Sequence, residues 1–159
     1  MGSSLYMRRV VPTALERGVP YLEEGFEAVS DDGVYVAELE SGRLCTLGGD
    51  WQLVNIVLTG EEYPRLGAQS IPVLGGAHIG SVDGPTDVLL WADAAEVREA
   101  HEFLASVDHD AAIERGRRIL GRAMDGLTDA VAERLRQLSQ FYRRAAQADE
   151  AVVKRLYGV

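Results

Sequence analysis

An amphipathic pattern near the end of the chain restricts its fold more than any other feature. Apolar residues recur there at helical spacing, with Phe141 beside them: Leu127, Val131, Leu135, Leu138 and Tyr142. The opposite positions carry charged or amide side chains: Glu133, Arg134, Arg136, Gln137 and Arg144. This spacing predicts a helix over about 127–147 with one buried side. The rest of the chain must then supply an apolar surface on which that side packs.

Three earlier stretches predict further helices, over residues 50–58, 94–107 and 109–123. Asp93 begins an acidic capping-box pattern before the second of them, and Asp108 can cap the third. Residues 20–33 carry only a weak helical stripe.

Runs rich in β-branched and aromatic residues predict strands at Ser4–Val11 and Asp87–Trp91. Ala151–Tyr157 fits either the tail of the last helix or a final strand. Residues 34–47 hold two short β-like runs around a Ser-Gly pair, which predicts a hairpin, with an irregular lead-in to the next helix as the alternative.

Together these elements predict an α+β fold in which a small mixed β-sheet packs against four main helices, including the long C-terminal one. At 159 residues the chain has the length of one domain. We therefore expect residues 1–159 to form a single compact domain.

The stretch from Trp51 to Gly80 contains two apolar elements joined by a polar connection. The first is apolar on almost every side and predicts a buried helix, with Gly60 suited to end it. The second begins at Ile71–Leu74 and is interrupted by Gly75-Gly76. Glycines at such a position let the backbone approach a ligand closely.

Several motifs occur together in one order and spacing across nearly the whole chain. They are Met1-Gly2, Trp51 with Leu58-Thr59-Gly60, Val73-Leu74-Gly75, Tyr142-Arg143-Arg144 and Ala151–Tyr157. In this arrangement the chain resembles the YfbM-like family, a bacterial domain of unknown function. It departs from the family at Asn55, where a His commonly lies within the Trp helix. The resemblance implies one compact α+β domain with a central sheet, and it implies no reaction.

The chain is acidic, with a net charge of −9. Residues 1–106 hold 6 Arg and 17 Asp or Glu, a balance of −11, whereas residues 107–159 hold 10 Arg or Lys and 8 Asp or Glu, a balance of +2. This charge argues against nucleic acid and anionic membranes as partners, because both attract positive surfaces. The acidic half is either a solvated face or a surface that receives a protein partner with a basic surface.

The chain shows no sign of export or membrane insertion. Cys45 is its single cysteine, so no intrachain disulfide can form. The N-terminus lacks the apolar segment of a signal peptide, and no apolar run approaches the ~20 residues that cross a bilayer. We expect a cytoplasmic protein.

The sequence carries no recognisable catalytic constellation. Its histidines, His78, His101 and His109, are not paired at helical spacing, and Cys45 is isolated, so we expect no metal site and no cofactor. His78 lies in the glycine-rich segment beside Ser81. This segment either approaches a ligand or forms a tight strand-to-loop transition with no role in binding. The candidates for ligand binding are Trp51, Asn55, His78 and Ser81.

Three functions stay open at this point. The leading hypothesis is a non-enzymatic protein that binds a partner protein or a small ligand, in one version an acidic inhibitor or immunity-type protein. The second is a small hydrolase or transferase with a site near Trp51 and Gly75–Ser81, in which His78 and a carboxylate point into one pocket. The third is a homo-oligomeric structural protein, and the sequence leaves the oligomeric state undetermined.

Overall fold

The computed structural model describes residues 2–29, 31–61, 67–81 and 87–158, and within 77–81 it describes the backbone only. The strands are β1 (Ser4–Val10), β2 (Leu44–Gly48), β3 (Ala77–Ser81), β4 (Val88–Ala92) and β5 (Ala151–Tyr157). The α-helices are α1 (Val19–Ala28), α2 (Asp32–Glu40), α3 (Trp51–Thr59), α4 (Ala94–Ser106), α5 (His109–Leu120) and α6 (Thr128–Gln147). Short 3-10 helices span Pro12–Arg17 and Gly121–Met124. The α+β fold class is confirmed, as are the four main helices.

The five strands form one sheet in the order β2-β1-β5-β4-β3, and the four neighbouring pairs are all antiparallel. The expectation of a mixed sheet is wrong in this respect. Parallel neighbours are normally joined by a crossover helix, and none of the described connections between neighbouring strands is a single such helix. Ala151–Tyr157 is a strand rather than a helix tail. It occupies the centre of the sheet, where six of its seven residues are buried.

Side chains alternate between the two faces of the sheet along β5 and β1. The inner face, with Leu5, Met7, Val152 and Leu156, belongs to the main core together with buried residues of α3 to α6. On α6 these are Val131, Leu135, Leu138, Phe141, Tyr142 and Ala145, which confirms the predicted amphipathic helix. The outer face packs Leu89 and Val153 under α1 and the first 3-10 helix, in a second cluster.

The predicted hairpin over residues 34–47 is wrong in its first half. A helix, α2, stands there because the Asp31 carboxylate accepts hydrogen bonds from the amides of Gly33 and Val34, at 3.0 and 3.3 Å. The Ser-Gly pair ends this helix instead of turning a hairpin: Gly42 has a φ of +73°, and the Arg43 amide donates to the Glu38 carbonyl at 3.0 Å. Only the second run forms a strand, β2.

Candidate functional site

The two candidates on α3 are engaged within the protein. Trp51 is buried and donates from Nε1 to Ser3 Oγ at 3.0 Å. Asn55 is also buried and donates from Nδ2 to the Glu61 carbonyl at 3.2 Å, which holds the chain that follows the helix. Trp51 therefore ties the start of α3 to the N-terminal segment, and Asn55 in the middle of α3 contacts the chain that follows the helix.

His78 and Ser81 lie on β3, where their backbones pair with Leu90 and Val88 of β4. Their side chains lie outside the described residues, as does Asp83. A pocket shared by His78, Ser81 and a carboxylate therefore stays a prediction.

The glycine pair that precedes β3 brings backbone close to backbone. A Cβ at Gly75 would lie 2.6 Å from Ile71 N, and one at Gly76 would lie 2.1 Å from the Trp91 carbonyl oxygen. Gly76 also has a φ of +107°, a conformation that side chains rarely adopt. The space over both glycines is thus filled by the chain itself.

The segment 71–75 is fastened to the core by two buried side chains. Lys154 on β5 donates from Nζ to the carbonyls of Ile71 and Gly75, the second at 2.6 Å. The Tyr142 hydroxyl shares its one proton between the carbonyl oxygens of Ile71 and Pro72, which lie 3.2 and 3.0 Å away. Both side chains have no exposed surface. The chain's single lysine is therefore a structural residue that holds the segment between α3 and β3.

Burial controls the protonation of this cluster. It lowers the pKa of Lys154 to about 7, although the Glu96 carboxylate acts in the opposite direction. Burial also raises the pKa of Tyr142 well above its usual value, and the nearby Cys45 and Glu96 raise it further. An amine with a low pKa is a potential nucleophile, but a fully buried amine has no route to a substrate.

Cys45 on β2 is similarly sequestered. Burial raises the pKa of its thiol to about 12, and the nearby Arg134 guanidinium only partly offsets this effect. Because the thiolate is the reactive form, Cys45 is an inert core residue.

Among the described residues, no group of three or more His, Cys, Asp or Glu side chains is placed to hold a metal ion. In the same part of the chain, no helix has the length and apolar character needed to cross a membrane.

The outer face of the sheet carries the most ligand-like feature. We name it the aromatic cavity: about 550 Å³, lined by Ser4, Tyr6, Phe26, Val29, Asp32, Tyr35, Leu44 and Tyr157. Its volume lies in the range of small-ligand sites, which are mostly apolar with a few polar groups. Neither Trp51 nor Asn55 lines it. No local pattern in the sequence indicates this cavity, because its lining comes from five separate elements of the chain.

Two rings of the cavity are fixed against each other and against a buried cation. Tyr6 and Tyr157 pack edge to face, with ring centroids 5.5 Å apart. The Arg155 guanidinium lies 4.4 Å from the Tyr157 ring centroid and pairs with Asp87 at 3.4 Å. Burial raises the pKa of Tyr157, with Arg155 acting in the opposite direction. This wall of the cavity is therefore a neutral, preorganised aromatic surface.

The opposite wall belongs to α2, an unusual helix. None of its nine residues is buried, and Val34, Val36 and Leu39 are 40%, 50% and 36% exposed. The run from Gly18 to Gly42, which contains α1 and α2, holds no basic residue. Its seven acidic residues are Glu23, Glu24, Glu27, Asp31, Asp32, Glu38 and Glu40. We call α1 and α2 together the acidic helix pair.

Comparisons with known proteins describe the fold and assign no activity. The sequence model of the family "Domain of unknown function (DUF1877)" matches residues 1–154. A solved structure, that of a protein of unknown function, YfbM from Escherichia coli, superposes with a TM-score of 0.68 at 14% identity, over 96% of this chain and 99% of that one. The YfbM-like resemblance of the sequence is thereby confirmed. A search of curated proteins finds no match.

Proposed function

We propose, from the premise that the chain belongs to the DUF1877 family of domains of unknown function, that it is a non-enzymatic binding protein. Its acidic helix pair would receive a partner protein with a basic surface. The observation that carries this proposal is α2, which exposes three aliphatic side chains between carboxylates and contributes no buried residue.

A helix of nine residues is marginal in water by itself and normally gains its stability from a packed apolar face. Val36 and Leu39, three residues apart on one side of α2, are available for such packing against a second protein, whereas Val34 lies on the opposite side. Contiguous exposed apolar surface that is rimmed by polar residues marks interaction sites, whereas single exposed apolar side chains are normal. The acidic helix pair therefore combines an apolar contact with a charged rim.

The charge of that rim selects the partner. The run holds seven carboxylates and no basic residue of its own, and although Glu38 pairs with Arg8 of β1, the excess of negative charge attracts a basic surface and repels an acidic one. Such steering weakens with salt, because the screening length falls to about 8 Å at physiological ionic strength. A specific form of the proposal is an inhibitor or immunity-type protein that covers a basic effector in the cytoplasm.

A charge-neutralised variant tests the proposal. Four exposed carboxylates of the acidic helix pair are replaced together: Glu24→Gln, Glu27→Gln, Asp32→Asn and Glu40→Gln. The wild-type protein should capture a partner from its source lysate at low salt. We expect the variant to capture at least about 10-fold less of that partner. We also expect the same partner to dissociate from the wild-type protein as salt increases. The measurement is quantitative mass spectrometry of the captured proteins.

The matched control removes the same number of charges from α4 and α5, which belong to the other side of the sheet. It carries Glu99→Gln, Glu102→Gln, Asp110→Asn and Glu114→Gln, again at exposed positions. The control should retain the partner. Two results would refute a role for the acidic helix pair. In one, both variants lose the partner equally; in the other, the charge-neutralised variant captures as much partner as the wild type.

A further inference from the structure

We infer that the aromatic cavity takes a cationic side chain of the partner, an arginine guanidinium or a lysine ammonium. This inference rests on the proposed function, because it assigns to the basic partner the group that enters the cavity. It commits to a protein side chain as the occupant, so a free organic cation is an outcome of the test.

The rings of the cavity suit a cation. Tyr6, Phe26, Tyr35 and Tyr157 line one space, and aromatic faces attract cations through their negative electrostatic face. The protein already uses two of these rings in this way. Arg155 lies over Tyr157, and Arg8 lies 6.0 Å from the ring centroid of Phe26.

The charges around the cavity leave a negative group unmatched. Arg155 is neutralised by Asp87 at 3.4 Å, and Arg8 is neutralised by Glu38 at 3.3 Å. Asp32 on the cavity lining is exposed and forms no ion pair within the described part of the chain. Water solvates this exposed carboxylate, so it needs no partner, but a cation in the cavity would be attracted to it and an anion would be repelled.

The placement of α2 links this cavity to the docking surface. Asp32 and Tyr35 are three residues apart, so they lie on one side of the helix, where both line the cavity. Val34, Val36 and Leu39 are exposed on the same short helix. A partner that docks on α2 therefore brings its side chains to the mouth of the cavity.

The test titrates the full protein with the peptide Gly-Gly-Arg-Gly-Gly amide, followed by NMR of the aromatic rings. A second peptide carries citrulline, which is neutral and has nearly the same shape, in place of Arg. We expect the arginine peptide to shift the rings of Tyr6, Tyr35 and Tyr157, and the citrulline peptide to bind at least about 5-fold more weakly.

Two variants examine the individual contributions. Asp32→Asn and Tyr35→Leu should each weaken the binding of the arginine peptide about 3- to 5-fold, because each removes one attraction for the cation. The control Asp110→Asn makes the same charge change in the first turn of α5 and should leave binding unchanged. Far-ultraviolet circular dichroism verifies that α2 still forms in each variant.

Several results would overturn the inference. One is equal binding of the arginine and citrulline peptides, and another is ring shifts outside the cavity. A third is tight binding of tetramethylammonium together with no binding of the peptide, which would make a free cation the occupant. If Asp32→Asn and Tyr35→Leu keep the partner while the four-carboxylate variant loses it, the cavity assignment fails and the proposed function stands.

Discussion

Replacing Lys154 by Ala should lower the free energy of unfolding by about 3–5 kcal/mol. The substitution leaves a cavity in the main core, and it leaves the Gly75 carbonyl without its donor. Lys154→Met fills most of the volume and loses only the hydrogen bonds, so it should cost about 1–3 kcal/mol. Urea unfolding at pH 8 measures both values.

The same variant carries a pH signature. The pKa of Lys154 is about 7 in the folded protein and 10.5 without burial, so the unfolded chain binds more protons between these values. Stability contributed by this group therefore rises with pH from about 7 to 10. We expect the stability difference between the wild type and Lys154→Met to grow over this window, by up to about 1.4 kcal/mol per pH unit. A constant difference would contradict the lowered pKa of the buried amine.

Replacing Gly76 by Ala should be nearly as damaging, with a loss of about 3–4 kcal/mol in urea unfolding. A Cβ there would lie 2.1 Å from the Trp91 carbonyl oxygen, and the φ of +107° is strained for alanine. The expected result is a protein that unfolds at much lower urea concentration or accumulates in insoluble form.

Gly126→Ala is the matched control. Gly126 also has a positive φ, +75°, but no described atom beyond its chain neighbours lies within 4 Å of the position that a Cβ would take. Backbone strain alone should cost about 1–2 kcal/mol there. If both glycine variants lose the same small amount, the space over Gly76 is not filled as described, and the glycine-rich segment regains interest as a ligand site.

The sequence predicts much of the framework because local patterns determine it. Helix α6 follows from its apolar spacing, and α4 follows from the capping box of Asp93 and Glu96, in which both reciprocal hydrogen bonds are present. The strand alternative for Ala151–Tyr157 is correct, but its central position depends on pairing with both β1 and β4. Such long-range pairing leaves no local signature in the sequence.

The sequence predicts little of the candidate site. Val34, Tyr35 and Val36 of α2 favour a strand, whereas the Asp31 cap, the helix-forming residues 37–40 and the Gly42 stop favour the helix. The aromatic cavity depends on the alternation that places Tyr6 and Tyr157 on the outer face, and on the position of Tyr35 above them. The glycine-rich segment is a candidate ligand site by sequence, yet Gly75 and Gly76 closely approach the chain's own backbone.

Hydrogen exchange of the protein with and without its captured basic partner tests the central claim most directly. Mass spectrometry of proteolytic fragments resolves the acidic helix pair from α4, α5 and the segment around Gly75–Ser81. The proposal predicts slower amide exchange in residues 19–40 when the partner is bound, with exchange in α4 and α5 unchanged. Protection confined to α3 and β3, with residues 19–40 unaffected, would contradict the proposal and favour a site near Trp51 and His78.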